Sequence, residues 1–137
     1  MTLSALRDDA LDTAEGCTRV RLSLPWIRSL PLASLLEPIV HLDRERHEPF
    51  IVLGDRRVSA AALADEDGWW YLQDRVVLEI PDAAAPSPHE GSVAFRLEIP
   101  SLPAGPDEPL RLPFFFARTL EARTPAASVS LDVRSAA

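Results

Sequence analysis

An all-β chain, folded as a single-domain antiparallel β-sandwich of about eight short strands, is the class that this sequence predicts. Three observations carry the prediction. Apolar and polar residues alternate with period two in short runs, most clearly Val93, Phe95, Leu97 and Ile99 against Ala94, Arg96 and Glu98. Turn formers separate these runs at intervals of roughly ten residues, and 13 prolines with 5 glycines are enough to supply them. Helical periodicity is almost absent. One domain is expected over residues 1–137, with an ordered core over about 9–133. At this length roughly two-thirds of the unfolded surface can be buried, so no covalent staple is required.

In chain order, residues 1–8 read as a polar, frayed start. Residues 10–13 are a weak strand, and Glu15-Gly16 a turn. From Thr18 the alternation is clean: Val20, Leu22 and Leu24 point one way, and Arg19, Arg21 and Ser23 face water. Residues 39–43 form the next strand, followed by a charged turn over residues 43–46. Residues 50–53 are a short apolar strand closed by Gly54-Asp55, a hairpin signal, and residues 57–59 resume it. Ser59 is placed to cap one helical turn over residues 60–64, which the acidic run before Gly68 stops.

Trp69-Trp70-Tyr71-Leu72 opens a strand region. Residues 76–80 are a strand with Val76, Leu78 and Ile80 inward and Glu79 on a wet face. A loop over 81–88, the strand over 92–99 and a second Pro/Gly loop over 100–109 follow. Residues 110–120 differ, because Leu112, Phe114 and Phe116 make one face and Phe115 and Ala117 the other. Antiparallel sandwiches normally keep one face wet, so both faces here are expected to be covered, by the same domain or by a partner. Residues 129–133 are a last short strand.

One stretch resists regular structure. Residues 24–36 are apolar, yet Pro25 and Pro31 each remove a backbone donor and fix φ. The segment reads as an ordered, irregular crossing over a packed surface, with Trp26 and Arg28 held in fixed places.

Composition excludes several functions. The 14 basic residues, all Arg, stand against 21 acidic ones, net −7, which argues against nucleic-acid binding. Without Lys, Schiff-base chemistry is impossible, and without Asn so is N-glycosylation. Cys17 is the one cysteine, so no intrachain disulfide forms and a reducing compartment fits; in or beside a strand it reads as a small core residue. No secretory signal is evident at the start. No apolar run approaches the ~20 residues that span a membrane. The cytoplasm is the expected location.

The chemistry-bearing residues do not assemble into an obvious set. His41, Asp43, His47 and Glu48 invite a metal reading, but their spacing matches no closed zinc pattern and they lie in a charged turn. Glu15, Asp43, Glu79, Glu98 and Glu121 are not brought together by any sequence feature. No serine sits in a nucleophile elbow, and scattered glycines make no phosphate loop. Trp69-Trp70-Tyr71 offers a platform for sugar stacking, with Trp69 and Tyr71 on one face and Trp70 on the other.

The order of features carries a resemblance. A strand runs into Leu24-Pro25-Trp26-Ile27-Arg28-Ser29-Leu30-Pro31-Leu32, and a strand ending Leu42-Asp43-Arg44-Glu45 follows. Then come the Trp69-Trp70 pair, the 76–80 strand, a Pro-rich loop and the Val93-x-Phe95-x-Leu97-x-Ile99-Pro100 strand. Over residues 9–122 this resembles the small (beta) subunit of bacterial C-glycoside deglycosidases. Pro25, Trp26, Arg28, Pro31 and Leu32 match that family's pattern. Ile27 replaces a second aromatic, Ser29 a Gly, Ala33 a Ser, and Arg44 a turn Gly.

The resemblance implies an accessory β-sandwich chain without a catalytic or metal set of its own. Its partner would be a TIM-barrel alpha subunit carrying a divalent metal, Mn²⁺, in a hetero-oligomer of alpha2beta2 form or larger. The implied reaction is cleavage of the C–C glycosidic bond of 3-oxo-C-glucosides, such as flavonoid C-glycosides. Large exposed apolar surfaces mark partner contacts, and Trp and Arg anchor them. Pro25, Trp26, Arg28, Pro31 and Phe115 are therefore the expected interface or active-site gate. Two other classes stay open: a stand-alone carbohydrate-binding module using Trp69 and Tyr71, and a structural assembly sandwich.

Overall fold

The computed structural model describes residues 5–7, 9–14, 16–85, 87–105, 108–121 and 132–133. Its strands, in chain order, are β1 (Leu11–Ala14), β2 (Cys17–Ser23), β3 (Leu30–Pro31), β4 (Leu35–Leu42), β5 (Glu45–His47), β6 (Phe50–Leu53), β7 (Arg56–Ser59), β8 (Trp69–Trp70), β9 (Arg75–Pro81), β10 (Pro88–Gly105) and β11 (Glu108–Glu121). Short 3₁₀ turns cover Leu32–Ser34 and Ala61–Asp65. Every strand pair is antiparallel.

Two sheets face each other. One has the order β1-β2-β9-β6-β7, the other β11-β10-β4-β5. Their inner faces meet in one cluster that includes Val20, Leu22, Ile51, Leu78, Val93 and Leu97. The alternation of β10 predicts this directly: Val93, Phe95, Leu97 and Ile99 are buried, and Ala94, Arg96 and Glu98 are not. A third, two-stranded sheet of β3 and β8 closes one end. The all-β, antiparallel class is as expected. The count is eleven strands among the described residues rather than about eight, because the hairpins at Asp43-Arg44 and the β3–β8 pair each add strands too short for a periodic signal.

The turns follow local chemistry. Gly54 has φ 68° in the two-residue loop that joins β6 to β7. Ser59 Oγ accepts the Ala62 N–H at 3.2 Å, so it does cap the 3₁₀ turn. Asp43 and Arg44 have φ values of 51° and 73°, both in the left-handed region, and close the tight β4–β5 hairpin.

Several expectations fail for identifiable reasons. The face of β2 that carries Arg19 and Arg21 is not wet. Arg21 is buried between Asp12, 2.8 Å away, and Asp132, 3.0 Å away. β2 lies between β1 and β9, and Asp132 bridges to Arg75 alongside it. Glu79 is likewise buried, held by Arg19 at 3.0 Å and by Arg57. Burial by itself raises the Glu79 pKa, but the hydrogen bonds from Arg57 and Arg19 outweigh it and hold the carboxyl below its ordinary value.

The Pro/Gly stretch 100–109 is not wholly a loop: β10 continues to Gly105 and pairs with β11 from Glu108. The register shifts on either side of Pro103, which opposes Pro109, a pair in which neither residue has an N–H to give. The start is not frayed at Ala5 and Leu6, which are buried; the Ala5 carbonyl accepts the Ser23 N–H at 2.8 Å. Of the strand expected at 129–133, residues 129–131 lie outside the described residues, as does Glu15 of the expected turn. Among the described residues no helix is long and apolar enough to cross a membrane.

Candidate partner-docking surface

The Pro-bracketed crossing is ordered by three contacts. After Leu24 and Pro25, both buried, the chain leaves the sheet. It returns as β3, where Leu30 pairs with Trp70 and Pro31 with Trp69. The Leu32 N–H then donates to the Gly68 carbonyl at 2.9 Å. Ser29 Oγ accepts the Leu72 N–H at 2.8 Å. Two apolar segments far apart in sequence, 24–32 and 68–74, thus form one end of the sandwich.

Trp70 fastens this end to the core. It is fully buried, and its indole Nε1 donates to the Asp74 carbonyl at 3.0 Å. The Asp74 N–H closes a turn on the Tyr71 carbonyl at 2.9 Å. Alternation then forces Trp69 and Tyr71 to the opposite side, where both are exposed, as the sequence predicts.

The exposed side of this end is apolar. Ile27, at 72% exposure, joins Trp69, Tyr71 and Leu72. Trp26 is half-buried and packs against the core from above. Ile27, Trp69 and Pro31 line a cleft of about 360 Å³, with Arg28 on it. Arg28 is exposed and has no ion pair among the described residues. The surface is thus an apolar patch around an uncommitted guanidinium, on a chain of net charge −7.

Of the residues singled out from the sequence, the structure gathers Pro25, Trp26, Arg28 and Pro31 at this end. Pro25 is buried. Phe115 is not part of the group. It pairs with Ala94 on the outer face of the four-stranded sheet, whereas the crossing meets β10 at Ile99, five residues or roughly 17 Å along the strand. Phe115 is 66% exposed, so among the described residues the chain leaves that face of β11 open rather than covering it. Phe114 and Phe116, on the inner face, stack with Phe95 at centroid distances of 5.5 and 6.2 Å.

Ile27, Tyr71 and Leu72 were not singled out for this surface. Ile27 stands where the resembled pattern has an aromatic, and the Trp-Trp-Tyr run gave the signal for the others. What the sequence could not supply is the β3–β8 pairing that puts them side by side.

The histidine–carboxylate region does not assemble a metal site. Asp43 turns to His89, and His47 lies 3.8 Å from Glu45. Among the described residues no three His, Cys, Asp or Glu side chains converge. Cys17 is half-buried at the start of β2.

The chain is 32% identical to the 3'-dehydrocarminate deglycosidase beta subunit of a Microbacterium species, over 69% of this chain and 76% of that protein. No family model matches it.

Proposed function

The chain belongs to the family of deglycosidase beta subunits, and from that premise we propose that it is the accessory subunit of a complex that cleaves a carbon–carbon glycosidic bond. The observation that carries this reading is the ordered apolar end: Ile27, Trp69, Tyr71 and Leu72 exposed around Arg28. Aromatic residues and Arg anchor protein interfaces, where a polar rim surrounds an apolar centre. A partner surface that fits carries apolar side chains and a carboxylate to meet Arg28. The partner in this reading is a TIM-barrel alpha subunit, in an alpha2beta2 or larger assembly. The complex works in the cytoplasm.

The reaction in this reading is an elimination from a 3-oxo-C-glucoside. The C3 ketone acidifies the C2 hydrogen, and a base on the partner removes it as a proton. The C2 electrons form a C1–C2 double bond while the bond from C1 to the aglycone breaks. The aglycone carbon leaves with that electron pair and takes up a proton. The base and the divalent metal, Mn²⁺, belong to the partner; the present chain docks beside its active site through Trp26 and Arg28.

Co-expression with the alpha chain, then co-purification and assay on a 3-oxo-C-glucoside, tests the proposal. An Ile27→Asp, Tyr71→Asp variant keeps its fold, since both side chains are exposed, and is expected to lose the partner. A Trp26→Ala, Arg28→Ala variant is expected to lose assembly or activity. Normal assembly and turnover in both variants sinks the docking surface; no turnover by the wild-type complex sinks the reaction.

A further inference from the structure

The outer face of the four-stranded sheet is a second apolar surface, away from the docking end. Its central row runs Phe115–Ala94–Ile39 across β11, β10 and β4. Pro113 and Ala117 flank Phe115 along β11, and Leu36 lies on β4 in the row of Pro113. All six stay at least partly open to solvent among the described residues.

The charges of β10 on this face are committed within the chain. Leu36 opposes Arg96 and Ile39 opposes Ala94, so two residues of β4, Glu37 and Pro38, bulge against Phe95 alone. Bulges re-aim side chains, and Glu37, at φ 50°, is turned so that its Oε1 accepts from Arg96 Nη2 at 2.5 Å. On the other side of β10, Glu98 Oε1 accepts from Arg111 Nε at 3.2 Å. Arg96 is thus drawn toward β4 and Glu98 toward β11. The small side chain of Ala94 is left at the centre of the face, with a larger apolar one on either side.

This layout is complementary to itself. A two-fold contact sets residue i of one copy on j of the other, and j on i. With the axis in the plane of the contact and along β10, the two Ala94 side chains meet on it. Phe115 of each copy then lies over Ile39 of the other. Arg96 leaves the axis in opposite directions in the two copies, and so does Glu98, so like charges part. The face over residues 90–98 and three strands measures roughly 27 by 14 Å, about 400 Å² in projection. Two copies that seal it make a contact of reversible rather than permanent size. We propose that the chain pairs with a second copy of itself through this face, Phe115 against Ile39.

The inference does not rest on the docking reading, and its main test uses the full chain alone. Sedimentation of the wild type is expected to show a monomer–dimer equilibrium. Phe115→Arg changes an exposed side chain, so it folds, and it weakens the dimer at least about ten-fold, as does Ile39→Asp. Mixed together, the two variants are expected to associate again. The introduced guanidinium then meets the introduced carboxylate, while the other contact keeps the native Phe115 and Ile39. Assembly of Phe115→Arg with the alpha chain is expected to match the wild type. A wild type still monomeric at about 1 mM, a dimer that survives Phe115→Arg, a mixture that stays monomeric, or loss of the alpha chain in Phe115→Arg each overturns the assignment.

Discussion

His89 Nδ1 lies 2.5 Å from Asp43 Oδ2, which ties the start of β10 to the β4–β5 hairpin. The other ring nitrogen, Nε2, faces the Ala85 carbonyl at 2.8 Å. Both neighbours are acceptors, so both contacts are made at once only by the imidazolium, which carries two N–H groups. The hydrogen bond to Asp43, and then that to Ala85, raises the His89 pKa above 6.5. The His89 hydrogen bond, and then that from the Glu90 N–H, lowers the Asp43 pKa below 3.8.

The pair makes stability depend on pH in a stated direction. A raised His pKa stabilises the fold fully below 6.5, and the effect fades as pH rises through the folded value. A lowered Asp pKa stabilises above 3.8, and the effect is lost as pH falls through the folded value. The contribution is complete between 3.8 and 6.5. Urea midpoints of wild type and His89→Gln are expected to differ most in that window and to converge at alkaline pH. In Asp43→Asn, the His89 titration followed by NMR moves down toward 6.5; an unmoved titration counts against the contact.

Ser29 contributes one of the three contacts that order the docking end, through a single hydroxyl. Ser29→Ala removes the acceptor of the Leu72 N–H and is expected to cost about 0.5–1 kcal/mol. The clearer readout is local: amide exchange at Leu72 speeds up severalfold while exchange across β9 and β10 stays as it was. If the Leu72 amide exchanges at the same rate in both proteins, the segment is ordered by something else. The same variant tests whether the order of this end matters for docking, because it alters no exposed apolar side chain.

Arg44 occupies a backbone position made for glycine. At φ 73° in a two-residue hairpin it bears the steric cost that glycine avoids. Arg44 makes no ion pair among the described residues, so little is lost with its side chain. Arg44→Gly is expected to raise stability by about 0.5–1 kcal/mol, or about 2–4 °C in Tm. A lowered Tm would show that the guanidinium contributes more than the backbone strain takes away.

How much of this was legible depends on whether the cause is local. The inward residues of β10, the Gly54-Asp55 turn, the Ser59 cap and the split between Trp69 and Trp70 all follow from neighbours in sequence. The burial of Arg21 and Glu79 does not. Charged residues that alternate with apolar ones read as a wet face, and only the ion pairs to Asp12, Asp132 and Arg57 make that face tolerable inside. The docking end was half legible. Pro25 and Pro31 announced an irregular crossing, but its partner in β8 lies some forty residues on, and alternation carries no information about which strands meet. Glu37 gave no signal, because a bulge is set by the register of β4 against β10.

β11 is fourteen residues long and ends its sheet, with no strand on its far side among the described residues. A long open edge is a template on which a second chain can add a strand, and then a third. Pro113 pairs with Arg96 within the ladder yet has no N–H to give, so its nitrogen faces the open side. Pro109 removes another donor further along. The row of hydrogen-bond donors that an incoming strand would need is therefore broken at two places. Pro109 and Pro113 thus let the edge be long without offering an unbroken row of donors to a further strand.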